Sequence, residues 1–532
     1  MTAPAVAVPE TLATVAEAEE KAKLRKHFGR FDIFFFLICT IVGLDTLGAV
    51  SSYGAQAFVW LAFMSFFFFL PYAMLTAELG STFREEGGPY VWVKLAMGRL
   101  PASINSVLYW LSNPIWLGGA LTITAYSVFT QFFYDPAAHL SSTGILAVQI
   151  LFGVIFIWIA TWSAILSFGI GKWIPTIGAW VRVLLLSAFT LTVVLYAIKH
   201  GVHGVSGGDF KPTSTIFFAA VPVLFFNFVG FELPCSAGDE MKNPKRDVPH
   251  TIARAWLVAV LAYGIPVLAI LLVLPAAQIT SLGGFVDAIK TVFTVYGGSV
   301  VQHSDGTVAA NLTGLGSVLG GLAAIGFIWA LLSSGATWIM GADRAEAVAC
   351  YDGGGPRWLG VFSKKYGTPI AVNFASGAIS TVVMVLAFKL SGSAQTYFSA
   401  VLGLAISTTT LSYLFIFPSL YLLRRKHASV ERPYSVPFGN GGALAISLLT
   451  TLWSLLASIA LVWPGFFDAF TGGTPDDSLP DGFAGRRGVY ELTQFLPLAA
   501  IVLLAVVFYA LGAKTRRQTV VMPTPAKAQP AT

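Results

Sequence analysis

The sequence predicts an all-α membrane protein of about twelve transmembrane helices. Three observations carry this. Of 532 residues, 56% are hydrophobic and only 11% charged, where a soluble domain has roughly a quarter charged. Apolar runs long enough to cross a bilayer recur along the whole chain. Lys and Arg gather in alternate loops between those runs.

A span needs roughly 20 mostly apolar residues. Segments that meet this are 31–56, 57–80, 101–134, 143–166, 171–198, 214–237, 251–276, 313–341, 369–390, 396–423, 441–464 and 493–513. Pro114 lies inside 101–134 and predicts a kink there. The stretch 277–312 is too polar to span and predicts a short surface helix near 283–296. Asn243-Pro244 and Asp247-Val248-Pro249 read as loop punctuation that stops a helix, with charges that pair with Arg84, Glu85 and Glu86 to brace an inner gate. With the N-terminus inside, 25 of the 32 Lys and Arg fall in inside segments and six in outside loops, and Arg182 lies within a span. That bias predicts a multi-pass protein of the cytoplasmic (cell) membrane with both termini cytoplasmic.

Residues 1–30 lack a signal-peptide core and read as a cytoplasmic tail. Residues 514–532, rich in Pro, Ala and Thr, read as a disordered cytoplasmic tail. The net charge of +6 comes from short loops, so it reflects topology and not a nucleic-acid surface. Cys39, Cys235 and Cys350 are widely spaced and read as packing residues.

Two spans are interrupted. Gly43-Leu44-Asp45-Thr46-Leu47-Gly48 sits inside 31–56. Asn227-Phe228-Val229-Gly230-Phe231-Glu232-Leu233-Pro234 sits inside 214–237. In hydrocarbon, irregular backbone is tolerated where protein or a water-filled cavity satisfies it. These are the first and sixth spans. Each opens a set of five, and an odd set places the second half inverted relative to the first. Breaks at matching positions of inverted halves point to a midplane transport site. Each break also carries a carboxylate, which at that depth is a functional candidate. The competing explanation is ordinary glycine-mediated helix packing.

Four stretches carry a family resemblance: Ile41-Val42-Gly43; Ala77-Glu78-Leu79-Gly80 with Glu86-Gly87-Gly88-Pro89-Tyr90; Gly230-Phe231-Glu232 running into Glu240–Pro249; and Gly341-Ala342-Asp343-Arg344 with Gly367-Thr368-Pro369. In order and spacing the chain resembles the amino acid–polyamine–organocation (APC) superfamily of permeases. The resemblance implies a five-plus-five inverted-repeat fold, with repeats at 31–198 and 214–423 and two further helices in 441–513. It implies a secondary transporter of amino acids or related small amines, working by alternating access with proton symport or exchange. A polyamine or other cationic-amine carrier is the alternative. A non-transporting sensor is the alternative of another class.

By the same resemblance, half-helix N-termini at the two breaks face the substrate and suit a carboxylate, and freed carbonyls suit an amino group. The expected substrate-binding residues are Gly43, Asp45, Thr46, Gly48, Phe226, Asn227, Phe228 and Gly230. The family usually has a small-residue run where this chain has Leu44-Asp45-Thr46. Like charges about 4 Å apart cost roughly 4 kcal/mol at an effective dielectric near 20, more than the ~2 kcal/mol a helix end offers. Asp45 therefore either binds the amine directly, or is protonated or turned into a packed partner. Phe226 matches an aromatic that closes over substrate, with core or lipid-facing packing as the other reading. Asn227 at mid-span needs hydrogen-bond partners. For coupling, Glu232 matches a family acid able to take up and release a proton, or else makes a structural hydrogen bond. Arg182 matches a Lys position of the fifth span; as Arg it is a fixed positive charge pairing with carbonyls or an acid. By the same resemblance Ser333 and Ser334 face a similar region, or else only satisfy backbone.

No metal cluster or nucleophile motif is present in the sequence, so neither an enzyme nor a cofactor is expected. The expected partners are an amino acid or amine substrate, protons in the symport version, and the lipid bilayer; nucleic acid is not among them. The oligomeric state is left open.

Overall fold

Because a helix satisfies its own backbone N–H and C=O groups, a chain this apolar folds into helices almost throughout. The computed structural model describes residues 12–24, 26–166, 171–202, 206–303, 307–390, 393–472 and 479–521. The expectations for residues 1–11 and 522–532 lie outside these.

In chain order the main helices are α1 (Arg30–Ile41), α2 (Leu47–Ser51), α3 (Ala55–Thr82), α4 (99–132), α5 (Ser142–Ile165), α6 (Trp173–His200) and α7 (Ser214–Asn227). They continue with α8 (Pro244–Val273), α9 (Gly284–Phe293), α10 (Gly314–Tyr351), α11 (Ile370–Leu390), α12 (Ala394–Lys426), α13 (Gly439–Val462) and α14 (Arg487–Leu511). Among the described residues, nine of these are long and apolar enough to cross a membrane: α3, α5, α6, α8 and α10–α14. The three predicted segments outside that set are the broken α1–α2, the polar and Pro-bearing α4, and the short α7. Exposed side chains such as Leu151, Trp162, Leu184, Leu191 and Leu503 present the apolar surface that a bilayer covers.

Several boundaries differ from the sequence reading for physical reasons. Pro244 and Pro249 lie inside α8 rather than in a loop. Pro244 is in the first turn, where its missing N–H has no partner to lose, and Pro249 forfeits one bond near the helix end. The eighth predicted span runs ten residues past 341, to Tyr351, because Asp343, Arg344 and Glu346 are buried among other helices rather than exposed at an exit. A helix does form near 283–296, as α9, but it is not a surface helix: Phe285, Val286, Ala288, Ile289 and Val292 bury it against its neighbours, and a hairpin not foreseen follows it, in which β2 (Gly298–Gln302) pairs with β3 (Val308–Leu312). After Pro114, α4 widens into a π-helical turn at Leu117–Leu121, an established cause of helix bending. From residue 514, where a disordered tail was expected, the helix Ala513–Arg516 continues and β4 (Thr519–Val521) pairs with β1 (Leu12–Thr14). Both ends of the described chain therefore meet on one face, called here the termini face.

That face is sealed by ion clusters. Arg344 binds Glu86 at 2.6 Å and Glu240 at 2.5 Å. The expected brace is corrected: among the described residues Lys245 pairs with Glu431 at 3.6 Å and Asp247 with Arg30 at 3.8 Å, while Glu86 is taken by Arg344 and Glu85 by Lys21 at 3.1 Å. Arg424 forms a two-point pair with Glu78 at 2.7 and 2.5 Å, and Arg432 adds 3.2 Å. At the end of α10, Asp352 takes Lys94 at 3.0 Å, Arg99 at 3.1 Å and the Tyr90 hydroxyl at 2.7 Å.

Burial by itself would raise the Asp352 carboxyl, but Lys94 and Arg99 outweigh it and hold the group below its ordinary value. A depressed carboxylate contributes stability above its unfolded pKa and loses it as pH falls through the folded one. Thermal unfolding of detergent-solubilised protein should thus show a loss of stability below about pH 4 that Asp352→Asn flattens. At pH 7 the same change should cost about 2 kcal/mol, between exposed and buried pairs. Identical acid slopes in the two proteins would remove Asp352 from this role.

Candidate functional site

Breaking a helix at Ile41 strands the carbonyls of its last turn. Side chains catch five of them in succession. Ser334 donates to Cys39 O at 3.2 Å and Trp338 to Thr40 O at 3.1 Å. The Tyr263 hydroxyl donates to Ile41 O at 2.6 Å and accepts from Gly43 N–H at 2.8 Å. Arg182 donates to Val42 O at 2.9 Å, and Thr46 to Gly43 O at 3.1 Å. The expectation that these carbonyls are free for an amino group is therefore corrected: the protein itself occupies each of them. The half-helix after the break, α2, has five residues and aligns few peptide dipoles toward a carboxylate.

Arg182 is 1% exposed and spends its guanidinium entirely on α1 and α10. Besides Val42 O, it binds the Cys39 sulfur at 2.9 Å, Ser333 Oγ at 2.8 Å, Ala330 O at 2.5 Å and Ser334 Oγ. Of the two partners expected for it, the carbonyls are realised, together with two hydroxyls and a thiol. Cys39 is thus a ligand of Arg182 as well as a packing residue.

Asp45 is buried. Its Oδ2 accepts from the Trp116 indole at 2.8 Å, and its Oδ1 has no hydrogen-bond partner among the described residues. The second break ends α7 at Asn227, whose amide O and N are both buried and unpaired. The chain turns through Gly230 at φ 121°, where a Cβ would collide with Thr40, so glycine is required. Beyond it Leu233–Glu240 forms 3-10 turns.

Gly43, Asp45 and Thr46 from the first break, and Phe226 and Asn227 from the second, line one small cavity with Trp116, Tyr263 and Trp338. The space open to a water's centre is about 10 Å³, enough for roughly one water. Phe226 stands edge-on to Trp116 at 5.7 Å, and Trp116 to Trp338 at 6.2 Å. Three expected binding residues do not line this cavity. Gly48 packs on the backbone of Thr280–Gly284. Phe228 stacks on Phe69 at 4.5 Å, because the chain leaves its helical path after Asn227 and points the next side chain away. Gly230 serves the turn.

Glu232 also lies off the cavity, fully buried. Its carboxylate accepts from Tyr109 at 2.7 Å, from Tyr413 at 2.6 Å and from Tyr72. Tyr72 in turn accepts the N–H groups of Gly230 and Phe231 at 2.9 Å each. Glu232 therefore ties the second break to α3, α4 and α12, the structural hydrogen-bonding alternative foreseen for it. Sequence reasoning missed Trp116, Trp338, Tyr263 and the three tyrosines around Glu232. Each is an aromatic with a polar tip at mid-span depth, the available signal, but fourteen Trp and seventeen Tyr in the chain diluted it.

A model of the amino acid permease family matches residues 28–472. The chain belongs to that family. The permease is 24% identical to the probable agmatine/putrescine antiporter AguD of Lactococcus lactis over 82% of its own length and 87% of that protein's. It is 25% identical to the uncharacterized transporter lpg1691 of Legionella pneumophila over 83% and 90%. Its fold is similar to that of the Eremococcus coleocola manganese transporter, with a TM-score of 0.56 and 13% identity over 96% of this chain and 97% of the other. At that identity the likeness speaks to fold alone. The permease is a multi-pass membrane protein and a secondary transporter, not an enzyme.

If Arg182 acts by tying the break to α10, the planar fork matters and not just the charge. Arg182→Lys in the permease should lower thermal stability in detergent by about 3 kcal/mol, since several charge-assisted bonds are lost. Unchanged stability would reduce Arg182 to a bare positive charge.

Proposed function

We propose that the permease carries small organic cations bearing amino groups, of the amine and polyamine class, by exchange across the cell membrane. One observation carries the reading: Asp45 offers a carboxylate oxygen unpartnered among the described residues, while the carbonyls from Cys39 to Gly43 beside it are already bonded within the protein. A substrate carboxylate would meet that oxygen as a like charge. An ammonium would pair with it, with the faces of Trp116, Phe226 and Trp338 to attract the cation and the Asn227 amide to bond it. The relative named as an agmatine/putrescine antiporter supports both the substrate class and the exchange.

The architecture in this proposal is twelve spans, with α1–α6 and α7–α12 as inverted repeats of five and α13–α14 added. The two breaks open corresponding spans. The pairing of β1 with β4 supports both termini on one side, and the Lys and Arg bias supports that side as the cytoplasm. Arg182 holds the first break through its carbonyls, and Glu232 holds the second through tyrosines. Neither needs to carry a proton for exchange to run.

The test is uptake of labelled putrescine into proteoliposomes loaded with unlabelled putrescine. The wild-type protein should exchange it, and leucine should compete weakly. Asp45→Asn should weaken apparent affinity by at least about 2 kcal/mol, as for a buried charge pair, or roughly thirtyfold. Undiminished putrescine uptake by Asp45→Asn would sink the proposal, as would leucine exchange surpassing putrescine.

A further inference from the structure

A second cavity, of about 200 Å³, opens away from the termini face between α2, α7, α12, α13 and α14. Pro222 and Val223 of α7 form part of its floor. They stand one turn, about 6 Å, before Phe226 and Asn227 of the small central cavity. The two cavities therefore lie in series along α7. Among the described residues lining the second cavity, Asp481 is the sole charged one.

Asp481 sits at the mouth on the connection between α13 and α14. The Ser281 hydroxyl and N–H hold its Oδ2 at 2.7 and 3.2 Å, and the Gln395 amide holds it at 3.2 Å. All three bonds use Oδ2, which leaves Oδ1 unengaged among the described residues. Tyr490 also lines the cavity, and its buried hydroxyl has no hydrogen-bond partner among the described residues. Tyr53 and Phe398 add aromatic walls. A fixed carboxylate, an unsatisfied hydroxyl and π faces, with no basic side chain among the described residues that line the space, suit an ammonium group and repel an anion.

We propose that this cavity is a second binding site, which holds the ammonium end of a small organic cation before it reaches Asp45. The inference rests on the cation reading above and adds a separate set of residues to it. Asp481 supplies the counter-charge, Tyr490 a hydrogen-bonding oxygen and Tyr53 a ring face. Because Asp481 is exposed, its attraction is screened by salt.

The test is equilibrium binding of labelled putrescine to the purified full chain in nanodiscs. The wild-type protein should show two classes of site. Asp45→Asn should keep the weaker class. Asp481→Asn should weaken that class about fivefold, the upper range for an exposed ion pair, while Asp481→Glu restores it. Tyr490→Phe should weaken the same class, and raising salt should weaken it more than the tight one. A single class that Asp481→Asn and Tyr490→Phe leave unchanged would overturn the second site and leave the Asp45 reading standing. No putrescine binding by the wild-type protein would overturn the cation reading itself, and this inference with it.

Discussion

A run of five stranded carbonyls, Cys39 to Gly43, sets the terms for the rest of the molecule. Buried peptide oxygens away from water must find donors. The chain supplies them from four places: Arg182 on α6, Tyr263 on α8, Ser334 and Trp338 on α10, and Thr46 in the break itself. The donors outside the break pin three helices to it. The interrupted segment is therefore a junction at which α6, α8 and α10 are held in register.

This arrangement also decides the charge of the central cavity. An arginine and an aspartate lie within the same buried region, yet the arginine is consumed by carbonyls, hydroxyls and a thiol. Asp45 is left with one indole bond and a spare oxygen. A guanidinium fully engaged by neutral acceptors cannot also neutralise the acid through a bidentate pair. The proposed cation selectivity is thus a consequence of how the backbone break is repaired. The second break is repaired differently, through Tyr72 and a carboxylate shared by three tyrosines.

The two faces of the protein are built unequally. The termini face is closed by Arg344, Arg424 and Asp352 clusters, which cross-link loops to the ends of α3, α10 and α12. The opposite face carries the larger cavity, bordered by loops and aromatic rings. Buried ion pairs are costly to leave half-made, so the closed face must exchange whole sets of partners to open. The central cavity, with room for about one water, has to widen before any amine enters.

Much of the architecture was legible in the chain. Apolar run length, loop charge and the placement of Gly43, Asp45, Gly230 and Pro234 are properties of local sequence, and bilayer physics reads them directly. The membrane class, the two breaks, a helix near 283–296 and the candidacy of Asp45, Asn227 and Phe226 follow from that, whereas the burial of that helix does not. Helix α8 was misread at Pro249, because one lost bond near a helix end is cheap when the turn is packed. The partners of the stranded carbonyls were not legible, nor were the tyrosines around Glu232 or the removal of Phe228 from the site. Those depend on which faces of distant helices meet, with donors and acceptors 123 to 298 residues apart in the chain. Sequence by itself determined where the backbone must break and which charges sit at that depth. Tertiary packing decided which of those charges is satisfied internally and which is left facing the cavity, because a hydrogen bond is settled by angstroms of separation that no spacing along the chain encodes.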